Sequence, residues 1–196
     1  MLFRSAARKH VAVLYYNNPP GRGNIGASYL ATLPSLAHIL QRLRAAGYDT
    51  GNTLPDAATL TTLLETNGRN VETWSPGELD HMVRAGHVKL VPLTQYRRWF
   101  DTLPAPFRES VLRAWGPPER NPLMLAHGVH GEPAFVVPGL FFGNVFIGPQ
   151  PLRSTFARAM DDAHDTITPP PHSYVAAYLW YRHAFGADAV DQRLLH

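Results

Sequence analysis

The sequence predicts an α/β fold: an irregular, mostly parallel sheet with a helical cluster inserted between its first strand and the later ones. Three observations carry this. The run Val11 to Tyr16 is continuously β-prone and ends abruptly in an Asn-, Pro- and Gly-rich loop, the pattern of an interior strand. A series of stretches with apolar residues at helical spacing follows. The period then shortens, with β-prone runs at Ala134 to Val137 and Asn144 to Ile147. Helices between strands point to an α/β domain with a mostly parallel sheet. Few strands are visible for such a sheet, so the chain reads as part of something larger.

The elements follow in order. Leu36, Ile39, Leu40 and Leu43 recur at helical spacing, and Gly47 is a good C-terminal stop. Leu60, Leu63 and Leu64 define a short second helix ended by Gly68. Ser75-Pro-Gly-Glu78 is a capping-box pattern with Pro at the first helical position. It opens a helix bearing Leu79, Met82 and Val83, stopped at Gly86. Tyr96, Trp99, Phe100 and Leu103 give one face of a fourth helix, with Thr94 as its expected cap. Phe107, Val111, Leu112 and Trp115 continue helically to Gly116-Pro117-Pro118. Pro169-Pro170-Pro171 is an extended spacer, Ser173 to Phe185 a final helix, and Gly186 to Val190 leads into another strand. No repeat, low-complexity segment or interdomain linker is visible. The expectation is one α/β segment over residues 1–196.

Composition narrows the function classes. Hydrophobic residues make up 45%, enough for a sizeable core, and the net charge is only +3. The basic residues are scattered, with no aromatic-interleaved stripe, which argues against nucleic-acid binding. There is no cysteine, so disulfide, thiolate and Cys-ligated metal chemistry are excluded. Phe135 to Gly148 is the most apolar stretch, but Pro138, Gly139, Gly143 and Asn144 break it, and it is too short to span a membrane. The first residues read as a buried strand rather than a signal peptide. Together these fit a cytoplasmic protein with no membrane or nucleic-acid partner.

The loop after the first strand reads Gly21-x-Gly23-x-x-Gly26, the spacing of a dinucleotide fingerprint. Three features weigh against a nucleotide. Asn17-Asn18-Pro19-Pro20 separate the strand from the first glycine. Asp49 has the spacing of the expected acidic residue but sits in a polar, turn-like stretch. Pro34 interrupts the first turns of the following helix. A loop lining a larger ligand site is the preferred reading, beside a plain strand-to-helix connection.

Other residues carry weaker signals. His127-Gly-Val-His130, with Glu132 as a third candidate ligand, suits a metal by residue type, but lies in a Gly-rich loop where solvated histidines are the ordinary reading. Asp161, Asp162 and Asp165 read as solvated charge. No Gly-x-Ser-x-Gly elbow and no Walker A motif occurs. His172 differs, because three prolines fix its backbone and hold its side chain at low entropic cost. No residue is assigned a catalytic or metal-binding role.

Several blocks in order, VAVLYYNNPPGRGNIGASYL, PGELDHMVRAGHVKLVPLTQYRRWFDTLP, AWGPPE, GNVFIGPQPLR and PPPHSYVAAYLWYRHAFGADAV, resemble the large subunit of the cobaltochelatase / magnesium chelatase family. The resemblance runs from about Lys9 to Val190. It implies a protein that binds a tetrapyrrole and inserts a divalent metal, a ligase forming nitrogen–metal bonds. ATP is hydrolysed by AAA+-type partner subunits. The cobalt branch acts on hydrogenobyrinic acid a,c-diamide in aerobic cobalamin biosynthesis, the magnesium branch on protoporphyrin IX. PPPHSYVAAYLW and YRRWFDTLP look closer to the cobalt branch. The family's Gly-Ala-Asp-Ala-Val strand runs into a His-Gly-x-x-Glu segment, whereas this chain reads Asp191-Gln-Arg-Leu-Leu-His196. On this resemblance the chain is an internal, truncated fragment, without a cofactor of its own and inactive alone. A magnesium-type porphyrin-binding segment and a stand-alone tetrapyrrole-binding or assembly module are the alternatives.

Strand C-terminal ends collect ligands in open α/β sheets. The Asn17 to Gly26 loop and the Pro169 to Tyr174 segment are therefore expected to face one cleft, with Gln150 and Arg153 nearby. Arg22 and Arg153 would pair with carboxylates on the macrocycle edge. Asn18, Asn24 and Gln150 would bond amides or carboxylates, and His172 would orient the ligand or touch the metal.

Overall fold

The computed structural model describes residues 5–17, 25, 32–71, 76–86, 88–127, 132–155 and 168–194. The chain packs as two compact units. The first comprises Met1–Arg69, Pro138–Gln150 and Phe185–His196, the second Asn70–Val137 and Pro151–Ala184.

In the first unit, β1 (Val11–Tyr15) lies at the interior of a four-stranded sheet. It pairs in parallel with β6 (Val145–Pro149), from Val11 opposite Val145 to Tyr15 opposite Pro149. On its other side it pairs in parallel with β7 (Ala189–Leu194), with a register irregularity between Val13 and Tyr15. Every β1 side chain is buried. Burial on both faces explains why the strand is apolar throughout instead of alternating. Val11, Val13 and Tyr15 share one face by the two-residue period. They pack with Leu36, Ala37 and Leu40 of α1 (Thr32–Ala45) and with Leu60 and Leu64 of α2 (Ala57–Asn67). The Asp56 carboxylate caps α2, accepting the Thr59 N–H at 2.7 Å, and that bond holds its pKa below the ordinary value. β5 (Leu140–Phe142) adds antiparallel to β6 through the two-residue turn Gly143-Asn144. Gly143 takes a φ of 55°, as a tight hairpin requires.

The second unit holds a three-stranded antiparallel sheet in the order β2 (Lys89–Pro92), β4 (Ala134–Val137), β3 (Leu125–Ala126). Around it are α3 (Pro76–Arg84), α4 (Leu93–Phe100), α5 (Ala105–Trp115) and α6 (His172–His183). Leu79, Met82 and Val83 of α3 pack with Val71, Leu123, Met124, Ala126, Val136 and Leu152.

The architecture is mixed α/β, with helices between the strands, as the sequence predicts. The antiparallel sheet is an addition to that reading. The runs at 134–137 and 144–147, neighbours in sequence, join different sheets. Thr94 does not cap α4. The helix starts at Leu93, two residues earlier than a Thr94 cap would set it, after Pro92 with no side-chain cap, and the Thr94 hydroxyl donates to Glu132 at 3.2 Å. Ser75, the expected cap of α3, lies outside the described residues. No helix among the described residues is long and apolar enough to cross a membrane.

Candidate functional site

In the first unit the ends of two parallel strands bring Asn17 and Gln150 to one end of the sheet. β1 and β6 run parallel and end together at Tyr15 and Pro149. The chain leaves β1 through Asn17, a polar residue only 1% exposed, and leaves β6 through Gln150. The Gln150 N–H donates to the Tyr15 carbonyl at 2.8 Å, so Gln150 is anchored beside the start of the Asn17 loop. The Tyr15 hydroxyl donates to the Gly68 carbonyl. This is the strand end at which open α/β sheets bind ligands. Asn18, Arg22 and Asn24 of the loop lie outside the described residues.

In the second unit the start of α6 is built around His172. The spacer before it is held by Trp115, whose indole N–H donates to the Pro169 carbonyl at 2.8 Å. His172 is fully buried. Its Nε2 lies 2.9 Å from the Gly116 carbonyl and its Nδ1 2.6 Å from the Tyr96 hydroxyl. A carbonyl can only accept, so Nε2 carries the proton and Nδ1 accepts from the phenol. Gly116 reaches this position with φ 71° and ψ −159°, a conformation natural only to glycine. Burial pushes the His172 pKa below its ordinary value, opposed by the bond to Gly116. Burial likewise raises the Tyr96 pKa. Tyr96 and Phe100 meet the imidazole edge-on at 5.6 and 5.3 Å. Both ring nitrogens are engaged by protein groups, so neither is open to a ligand in this arrangement. His172 is placed to fix the start of α6 against α4 and the end of α5.

Arg153 is exposed. Its guanidinium lies 3.4 Å from the Thr168 carbonyl and 5.9 Å from the centroid of the Tyr174 ring. Tyr174 stacks on Tyr178 at 4.7 Å with the rings 27° from parallel. A cation beside half-buried phenols can receive an anionic, planar group.

Of the expected site residues, Gln150 thus stands at the sheet end of the first unit, while Arg153 and His172 stand near the start of α6 in the second. Sequence reasoning missed Tyr96 and Gly116 as the partners of His172. Tyr96 lay hidden in an apolar helix face, and Gly116 had only its position as a helix stop to mark it. Among the described residues no three His, Asp or Glu side chains are grouped so as to hold a metal ion. His130 and the Asp161, Asp162 and Asp165 group lie outside the described residues.

Residues 3–191 match the family CobN/Magnesium Chelatase, and the chain belongs to it. It is 33% identical over 185 residues to the aerobic cobaltochelatase subunit CobN of Pseudomonas aeruginosa, covering 94% of this chain and 14% of that protein. It is 28% identical over 188 residues to the chloroplastic magnesium-chelatase subunit ChlH of Oryza sativa subsp. indica, covering 95% of this chain and 12% of that one. The fold is similar to the catalytic subunit of cobaltochelatase from Mycobacterium tuberculosis, with a TM-score of 0.69 and 29% identity, covering 95% of this chain and 15% of that chain. The chain therefore spans only 14% and 12% of the length of these two curated relatives. The family resemblance read from the ordered sequence blocks is the family found.

Proposed function

We propose that this chain is a segment of a cobaltochelatase large subunit and supplies part of the wall that holds the tetrapyrrole. In this reading the parent protein inserts cobalt, as substrate, into hydrogenobyrinic acid a,c-diamide during cobalamin biosynthesis. AAA+-type partner subunits hydrolyse ATP. Metal insertion needs a held macrocycle, ligands that strip water from the ion, and a base for the pyrrole protons. The chain contributes to the first need. Asn18, Asn24 and Gln150 bond peripheral amides or carboxylates, and Arg22 and Arg153 pair with carboxylates. His172 acts through α6, positioning Tyr174 and its neighbours rather than touching the ligand.

The observation that carries this reading is the convergence of Gln150 and Asn17 at the parallel strand end of a chain that belongs to the chelatase family. The test is a titration of the purified chain with hydrogenobyrinic acid a,c-diamide and, in parallel, with protoporphyrin IX, followed by absorbance. Saturable spectral change with the corrin precursor, weakened in Arg22→Ala and Arg153→Ala, supports it. Preference for the porphyrin would move the chain to the magnesium branch. No change with either would remove the tetrapyrrole role.

A further inference from the structure

From His172 to Tyr181 every residue of α6 is buried except Tyr174 and Tyr178, which are half-buried. Four residues apart, they share one stripe of the helix. A stripe that only meets water is ordinarily filled by charged side chains. Here two phenols fill it, with rings 4.7 Å apart and 27° from parallel. Tyrosines with an apolar body and a wet tip are enriched at binding surfaces. Arg153 stands beside the first of them. It is exposed, and its guanidinium lies 5.9 Å from the Tyr174 ring centroid, with one Nη 3.4 Å from the Thr168 carbonyl. That bond is long for N–H···O and occupies little of a fork with about five donors. No carboxylate among the described residues pairs with this guanidinium.

An open, accessible guanidinium discriminates between side chains on a ligand's edge. A carboxylate fills its fork with two parallel, charge-assisted hydrogen bonds. An amide or an ester brings no charge and fills the fork poorly. The aromatic ring beside the cation restricts its swing, so less freedom is lost when the pair forms. A partly amidated macrocycle such as hydrogenobyrinic acid a,c-diamide carries both kinds of side chain, so a reader of one edge can check which kind stands there. On the tetrapyrrole reading, on which this rests, we infer that Arg153, Tyr174 and Tyr178 read one edge of the macrocycle and require a free carboxylate there. Arg153 binds the carboxylate. Tyr174 is a positioning residue whose ring aims Arg153. Tyr178 extends the stripe and gives apolar contact to the ring system that bears the carboxylate.

The test titrates the full chain with hydrogenobyrinic acid a,c-diamide and with its methyl ester, in which the free acids are capped, and reads Kd from absorbance. Arg153→Gln removes the charge at an exposed position, so the variant folds without repacking. It should weaken the acid about tenfold, the value of a charge-assisted pair, and leave the ester within about twofold. Tyr174→Leu should weaken the acid about two- to fivefold and add almost nothing once Arg153 is already Gln. Tyr174→Phe, which keeps the ring, should bind the acid as the parent chain does. Tyr178→Leu should weaken acid and ester alike. If the parent chain binds neither ligand, the tetrapyrrole reading falls and this inference with it. The tetrapyrrole reading stands and the inference is overturned if the parent binds acid and ester equally, or if Arg153→Gln weakens both alike or neither. The same holds if the Arg153→Gln and Tyr174→Leu losses on the acid simply add; that cycle decides alone should the ester bind too weakly to measure.

Discussion

Tyr96→Phe removes one hydroxyl and nothing else from the core of the second unit. Tyr96 is completely buried beside the fully buried His172, and its hydroxyl lies 2.6 Å from Nδ1. The other ring nitrogen is held by Gly116, so the ring cannot turn to find a new donor without breaking that bond. Phenylalanine therefore leaves Nδ1 as a desolvated acceptor. Such an orphan costs about 1–3 kcal/mol, more than the net value of an ordinary hydrogen bond. The ring contacts with Phe100 and Phe135, at 5.3 and 5.0 Å, survive the change, so no cavity adds to the loss. Among the described residues the tryptophans, Trp99, Trp115 and Trp180, all fall in the second unit, so tryptophan fluorescence reads its unfolding. With a urea slope of about 1.5 kcal/mol/M, the midpoint should fall by about 0.7–2 M. A double-mutant cycle sharpens the test. Tyr96→Phe combined with His172→Phe removes donor and acceptor together, so the pair should cost at least about 1 kcal/mol less than the sum of the single changes. A Tyr96→Phe midpoint equal to that of the parent chain, or strict additivity in the cycle, would refute the buried pair.

Further outcomes follow from the same geometry. The His172 pKa is lowered in the folded state, so the unfolded chain binds more protons below pH 6.5, and stability falls as pH drops from there toward the folded value. This group's part of the slope is at most about 1.4 kcal/mol per pH unit, and urea midpoints of the parent chain against His172→Gln between pH 7.5 and 5 measure it as a difference that narrows on acidification. Gly116→Ala should destabilise by about 1–3 kcal/mol through backbone strain alone, since nothing lies within 4 Å of the added methyl. Fluorescence-detected urea unfolding checks this, and an unchanged midpoint would show that the positive φ is not required. Leu14→Ala, at a fully buried site in β1, should cost about 2–5 kcal/mol. Far-UV circular dichroism during urea unfolding reports that loss, and a shift below 1 M would count against an interior β1. The isolated chain is expected to lack chelatase activity; ATP-dependent cobalt insertion by this chain with family partner subunits would overturn that expectation.

The sequence by itself determined the elements whose local signals agree with their burial. β1 was legible because a strand covered on both faces needs an unbroken apolar run. α1 and α2 were legible because Leu36, Leu40, Leu60 and Leu64, spaced at one helical turn, are the residues that bury. Gly47 and Gly86 marked the ends of α1 and α3, and each takes positive φ just past its helix. The family was legible because several blocks had to occur in one order.

Tertiary structure decided the rest. β3 is two residues long and β2 mixes Lys89 and Pro92 with its apolar pair, so neither carries a period that could be read locally. Their strand character comes from pairing with β4, which lies more than forty residues beyond β2 and across a loop from β3. The same holds for His172. Three prolines announced that its backbone is fixed, but the partners of its ring come from 56 and 76 residues upstream. A sequence shows that a side chain can bond; which lone pair is filled, and by whom, depends on contacts that form only when distant segments pack together.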